Sequence, residues 1–205
     1  MLSGPSLHYV HDPMCSWCWA YRPTLLKLRQ QLPERVHWRN LLGGLAPDSQ
    51  DPMPDETRQM VQGHWRRIQR ELGTEFNFAF WDVCKPRRST YIACRAVLAA
   101  AAQESEEAMI LSIQEAYYLR ALNPSDEDTL VMLAGELGID PDRFREDLTS
   151  ATTNRELQAQ ISRARSWQVP GFPSLVLDLD GAAQHVPLDY RDHRVTLAAV
   201  QKMMH

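Results

Sequence analysis

The stretch "HYVHDPMCSWCWAY", His8 to Tyr21, sets two cysteines, Cys15 and Cys18, between a short apolar run and the start of a helical pattern. Leu7 to His11 reads as a β-strand, and Val36 to Leu42 as another, each with β-branched and aromatic residues and few breakers inside. Between them, from Trp19 to Leu32, Leu25, Leu28 and Leu32 recur at helical spacing. The result is a strand, helix, strand unit with the cysteine pair at its first junction. A cysteine in the first turn of a helix faces unpaired backbone N–H groups and the positive end of the helix dipole, which favour thiolate over thiol. A second cysteine one turn on can reach back and close a small disulfide. Spacing and position together describe a reversible dithiol couple, with Cys15 as attacker and Cys18 as resolver.

Two other chemistries use the same spacing. A structural metal site needs two further ligands, and Cys84 and Cys94, ten positions apart, lack the tight Cys-x-x-Cys or His-x-x-x-His spacing that would supply them. Two inert buried thiols are the other alternative. The strand-to-helix junction favours the redox couple over both, and such a couple requires neither metal nor bound organic cofactor.

The chain has 205 residues and a net charge of -4, with acidic and basic side chains intermixed. That is length enough for one large domain, or for a core domain carrying an insertion. The densest basic stretches, "WRRIQR" and "KPRR", read as solvated faces or loops that could each hold an anionic ligand, and nothing in the charge pattern suggests a nucleic-acid or polybasic membrane surface. No basic segment followed by an apolar one opens the sequence, and no apolar run reaches the length of a membrane span. The expectation is a soluble, cytoplasmic protein. In that compartment close cysteine pairs are catalytic or metal-binding more often than they are structural staples.

From Pro54 to about Trp167 the periodicity is helical. Met60, Val61, His64, Trp65, Ile68 and Leu72 form one stripe, and Met109, Ile110, Ile113, Ala116 and Tyr117 another. Ser125 to Asp128 resembles a capping box, Gly138 reads as a helix stop, and Asp140 before Pro141 reads as an N-cap. Strand character returns at Ser174 to Asp178. Asp180 and Gly181 then mark a tight hairpin into Ala183 to Leu188, and a last helix runs from about Tyr190 to Met204. The element order is β-α-β, many helices, then β-β-α.

This order, with the cysteine pair in its place, resembles the thioredoxin superfamily, and the whole layout resembles its DsbA-like branch. Within that branch "DPMCSWCWAY", "STYIACRAV" and "VPGFPSL" are similar to the FrnE-like predicted disulfide isomerases. The resemblance implies an α/β thioredoxin fold with a large inserted helical domain: residues 1–53 and 168–205 form the thioredoxin-like domain and residues 54–167 the insertion. It also implies a cis-proline opposite the cysteine pair. Pro173 occupies that position, and the backbone of Phe172 would then face an incoming chain like an edge strand; Pro170 matches no such role. Ser16 and Trp17 stand where the strongly oxidising periplasmic member has Pro-His and thioredoxin has Gly-Pro. A neutral indole cannot stabilise a thiolate as an imidazolium can, so a less oxidising poise is expected.

The implied activity is thiol-disulfide exchange, as oxidoreductase, isomerase or reductase, on a protein or peptide or with glutathione. Trp17 is a candidate substrate contact, and Asp12 is either a proton relay or an orderer of the turn. Of His8 and His11, one is expected to face the core and the other solvent. Cys94, on a helix of small residues, reads as a buried apolar group, while Cys84, beside Lys85 and Arg87 in a loop, is the better candidate for a regulatory thiol, with an idle cysteine the simpler reading. Two alternatives of other classes share the layout. One is an enzyme like the kappa glutathione transferases and chromene-carboxylate isomerases, where a serine usually replaces Cys15 and the resolving cysteine is absent, and for which "KPRR" would offer a basic pocket for glutathione; the other is a non-enzymatic redox-sensing binding protein. The sequence leaves the oligomeric state open.

Overall fold

The computed structural model describes residues 4–204. Strand β1 (Ser6–His11) leads through the cysteine turn into α1 (Ser16–Gln31) and then β2 (His37–Leu42). Helices α2 (Asp55–Leu72), α3 (Phe80–Val83), α4 (Tyr91–Ala101), α5 (Glu106–Tyr118), α6 (Glu127–Glu136) and α7 (Pro141–Thr149) follow. The long α8 (Ala151–Ser166) then returns the chain to the sheet, where β3 (Ser174–Leu179), β4 (Ala182–Val186) and α9 (His193–Met203) complete it.

The sheet has the order β2-β1-β3-β4, with β1 parallel to β2 and antiparallel to β3, and β3 antiparallel to β4. A parallel β1–β2 pair requires a crossover, which α1 supplies. The β3–β4 connection is as tight as Asp180-Gly181 suggests: both residues have positive φ, 52° and 96°, and the Gly181 N–H is held by the Asp178 carboxylate at 2.7 Å.

Side chains alternate across β1. Leu7 and Tyr9 pack with Leu175 and Leu177 against Tyr21, Leu25 and Leu28 of α1 and Val200 of α9. Val10 and Val176 face the other way, onto Ala164 of α8. Both faces of the sheet are therefore covered, which corrects the expectation for the histidines. His8, 6% exposed, lies edge-on to Trp167 at 4.8 Å on the α8 face; His11, with no exposure, stacks on Tyr9 at 4.8 Å on the α1 face. Both are buried, because α8 covers the face that alternation would have left open.

The inserted helices gather around Trp65, which stacks on Phe76 at 5.0 Å and meets the rings of Trp81, Tyr117 and Tyr118. Such a ring cluster adds edge-to-face terms to a large burial of apolar area. At α7 the Asp140 carboxylate caps as expected, accepting from the N–H groups of Asp142 and Arg143 with Pro141 behind it. At α6 the expected capping box does not form. The helix starts at Glu127, and the Ser125 hydroxyl is drawn instead to the Ser89 carbonyl at 2.6 Å, a tertiary bond that the local pattern cannot show. At the C-terminal end β4 stops at Val186, and α9 begins only after Asp192, whose carboxylate accepts from the Arg194 N–H.

Candidate active site

Cys15 is the N-cap residue of α1. Its own N–H bonds back to the Asp12 carbonyl at 3.0 Å, and its carbonyl accepts the Trp19 N–H at 3.1 Å. No side chain caps this helix, so its first N–H groups remain directed at the turn that carries the Cys15 sulfur. The Cys15 thiol donates to the Phe172 carbonyl at 3.4 Å, and the Phe172–Pro173 peptide bond is cis. Phe172 is thus beside Cys15 although more than 150 positions away in sequence, with Pro173 following it.

Two adjacent glycines fix that meeting. At Gly43 a Cβ would lie 2.1 Å from the Phe172 ring, so any side chain there displaces Phe172. Gly44 has φ +64°, and a Cβ on it would meet Ile161 and Tyr91 at 2.5 and 2.7 Å. The loop after β2 is therefore clasped between the residue at the Cys15 sulfur and the helices α4 and α8. The pair "GG" was visible in the sequence, but nothing local says what presses on it.

Cys18 lies one turn into α1 with no exposure at all, against Cys15, the Asp12 backbone and the Tyr9 hydroxyl. Burial, then the neighbouring Cys15, push its thiol pKa well up. Burial likewise raises the Tyr9 phenol, with Cys18 adding to it. Both cysteines are free, so the structure is that of the dithiol. Tyr9 escaped the sequence reading, where it was simply a strand residue.

Asp12 is fully buried. One carboxylate oxygen accepts the Met14 N–H at 2.8 Å; the other accepts the Leu45 N–H at 2.7 Å, the Thr90 hydroxyl at 2.6 Å and the Cys94 thiol at 3.5 Å. Thr90 in turn accepts the Ala46 N–H at 3.0 Å. Burial raises the carboxyl pKa, and the bonds from Thr90, Leu45, Met14 and Cys94 oppose that rise. Of the two expected tasks the geometry displays the ordering one: a single carboxylate ties the cysteine turn, the loop after β2 and the start of α4. Cys94 is buried, as its small-residue surroundings imply, yet its thiol is a hydrogen-bond donor here and not only an apolar filler. Thr90 lies inside the "STYIACRAV" stretch, whose role could be found only by bringing α4 against the turn.

Above Cys15 opens a cavity of about 180 Å³, walled by Trp17, Met53, Met60, Val61, Arg88 and Phe172 among others. Trp17 is half-buried on this wall, edge-on to Tyr190 at 5.3 Å and under the Arg67 guanidinium at 5.5 Å. Cys84 ends α3, half-buried, with its thiol on the Ala121 carbonyl at 3.1 Å; burial raises its pKa. Among the described residues no three His, Cys, Asp or Glu side chains gather as a metal site, and no helix is long and apolar enough to cross a membrane.

A four-stranded mixed sheet with helices on both faces, a cysteine pair opening α1 and helices inserted between β2 and β3 define a DsbA-like member of the thioredoxin superfamily. A family model described as Thioredoxin matches residues 8–186, and the chain belongs to that family. The structure is similar to the crystal structure of a candidate protein disulfide isomerase from Nitrosomonas europaea, with a TM-score of 0.86 and 26% identity over 98% of both chains. It also shares the fold of the cytosolic disulfide reductase DsbM from Pseudomonas aeruginosa, known alone and with GSH, with a TM-score of 0.78 and 24% identity to the former over 97% of this chain and 98% of that one. Among curated sequences it is 25% identical over 177 residues to the ClpXP adapter protein SpxH of Halalkalibacterium halodurans, covering 80% of this chain. The match takes in 56% of that relative, so the chain spans about half the length of the curated relatives it matches.

Proposed function

We propose that the protein is a thiol-disulfide oxidoreductase in which Cys15 and Cys18 are the redox couple. The carrying observation is the placing of the Cys15 sulfur at an uncapped helix start, on the floor of an open groove, with the fully buried Cys18 one turn behind it. In the reducing direction the Cys15 thiolate attacks one sulfur of a substrate disulfide and the other sulfur leaves as thiolate. Cys18 then loses its proton and attacks Cys15, closing the Cys15–Cys18 disulfide and releasing the second substrate thiol. Two electrons pass from the dithiol to the substrate, and two thiol equivalents restore the dithiol.

Phe172 and Trp17 line the cavity at the reacting sulfur and, with Pro173 next in the chain, would hold the substrate backbone and side chain. While Cys15 is a thiol it occupies the Phe172 carbonyl. A mixed disulfide has no such proton, so the carbonyl is then available to an incoming backbone N–H. The partners are protein or peptide disulfides or glutathione, and the setting is a reducing one; the likeness to a cytosolic disulfide reductase known with GSH supports both. Asp12 positions the turn.

The test is a set of variants incubated with an oxidised peptide and run on non-reducing gels. Cys15→Ser should abolish both adducts and peptide reduction, whereas Cys18→Ser should accumulate mixed disulfides. Activity of Cys15→Ser equal to that of the parent would end the reading, and adducts formed through Cys84 would move it towards a redox sensor. Brief iodoacetamide treatment of the reduced protein should label Cys15 ahead of Cys18, Cys84 and Cys94.

A further inference from the structure

The chain carries a net charge of -4, yet none of the residues lining the groove above Cys15 is a carboxylate. Two arginines reach the groove from the segment between α3 and α4. They are not equivalent. The Arg87 guanidinium is spent inside the fold, paired with Asp126 and donating to the Ser125 carbonyl. Arg88 is half-buried and, among the described residues, makes neither ion pair nor hydrogen bond. The nearby Asp12 does not neutralise it, since that carboxylate lies buried with its acceptor positions taken by Met14, Leu45, Thr90 and Cys94.

A guanidinium that has lost part of its hydration without gaining a counter-charge gains on meeting an anion, and its planar fork fits a carboxylate in particular. Of the remaining wall, Met53, Met60, Val61 and Trp17 present apolar surface that suits the methylene stem of a small thiol, and Ser16, His64 and Thr90 add uncharged polar positions. At about 180 Å³ the concavity accommodates a unit of residue size and not a folded segment.

We propose that Arg88 is a specificity-determining residue: the groove takes a low-molecular-weight disulfide or thiol bearing a carboxylate, and Arg88 binds that carboxylate while the substrate sulfur meets Cys15. This rests on the thiol-disulfide reading above. The exchange is the balanced one already given, with Arg88 acting on binding and taking no part in bond making.

The experiment oxidises the fully reduced protein, in low salt, with three disulfides: oxidised glutathione, neutral bis(2-hydroxyethyl) disulfide and cationic cystamine. Second-order rate constants are compared for the parent, Arg88→Ala and Arg88→Lys. Arg88→Ala should slow oxidation by glutathione disulfide about tenfold, equivalent to 1.4 kcal/mol, leave the neutral disulfide within about twofold and speed cystamine; Arg88→Lys, which keeps the charge but not the fork, should give a glutathione rate between those of the parent and Arg88→Ala. In parallel, calorimetry with S-methylglutathione, which has no exchangeable sulfur, should give a Kd about tenfold weaker for Arg88→Ala. Equal slowing by all three disulfides, or no change with any, overturns the assignment. If the disulfides leave the parent unoxidised while S-methylglutathione still depends on Arg88, the exchange reading fails and the carboxylate site stands. If they oxidise it while neither rate nor binding depends on Arg88, the site fails and the exchange stands.

Discussion

The cysteine turn has two sides, and they are built on opposite principles. Above it lies a cavity walled in part by methionine and tryptophan, where Arg88 makes neither ion pair nor hydrogen bond among the described residues. Below it a buried carboxylate, that of Asp12, collects two backbone N–H groups, a hydroxyl and a thiol, and thereby joins three segments of the chain. On the proposed function the upper side would keep its interactions for a substrate, whereas the lower side consumes them to hold the turn in place. Substitutions below should therefore appear first as lost stability, and substitutions above as altered rates.

The largest effect is expected at the centre of the lower network. Asp12→Ala leaves several buried donors without an acceptor, at about 1–3 kcal/mol for each such group, and should lower stability by roughly 4 kcal/mol in denaturant titrations. Asp12→Asn, which keeps one acceptor oxygen, should lose about half as much. A loss below about 1 kcal/mol for Asp12→Ala would show that the carboxylate does not hold the turn.

Next in size is the pH dependence. His11 has its pKa lowered to about 4 by burial, and so does His8. A histidine that is harder to protonate when folded stabilises the fold fully above its unfolded pKa of 6.5, and that contribution is lost as pH falls from there through about 4. For His11 alone the shift corresponds to about 3 kcal/mol. Asp12 acts in the opposite sense: its raised pKa means that the folded state holds the proton more tightly, so it costs stability as pH rises above 3.8. Urea midpoints from pH 7 to 4.5 should fall, and His11→Phe should flatten the curve; a flat profile in the parent would contradict the buried placing of both rings.

Gly43→Ala comes third. A methyl 2.1 Å from the Phe172 ring must push that ring aside, at about 2 kcal/mol, and it moves the carbonyl that meets Cys15. The sharpening measurement is a double one, a denaturant midpoint together with kcat/KM for peptide reduction, and both should drop. The smallest expected change is on the upper side. Met60, 49% exposed on the groove wall, should tolerate Met60→Ala within about 0.5 kcal/mol of stability, and any effect should fall on KM. A large stability loss there would erase the contrast between the two sides.

How much of this was legible in advance follows from the range of each signal. Period, cap and turn residues act over a few positions, so β1, α1, the Asp140 cap and the Asp180-Gly181 hairpin could be read from the chain, and the cysteine pair could be placed at a helix start. The same locality explains the failures. Ser125 has the spelling of a cap but answers to Ser89, and His8 occupies a strand position that alternation turns outward until α8 covers it.

By itself the sequence determined the order of elements and the place of the two cysteines at a helix start, because each is written in contiguous residues whose backbone preferences are local, and the resemblance of three short stretches supplied the thioredoxin layout with its inserted helices. Tertiary structure alone decided what surrounds those sulfurs. Only packing brings Phe172 to Cys15, Tyr9 to Cys18 and Thr90 with Cys94 to Asp12, and only packing satisfies Arg87 through Asp126 while leaving its neighbour Arg88 facing the groove. The physical reason is that a hydrogen bond or an ion pair is specified by where two groups meet in space, and residues tens to more than a hundred positions apart meet only once the chain has folded.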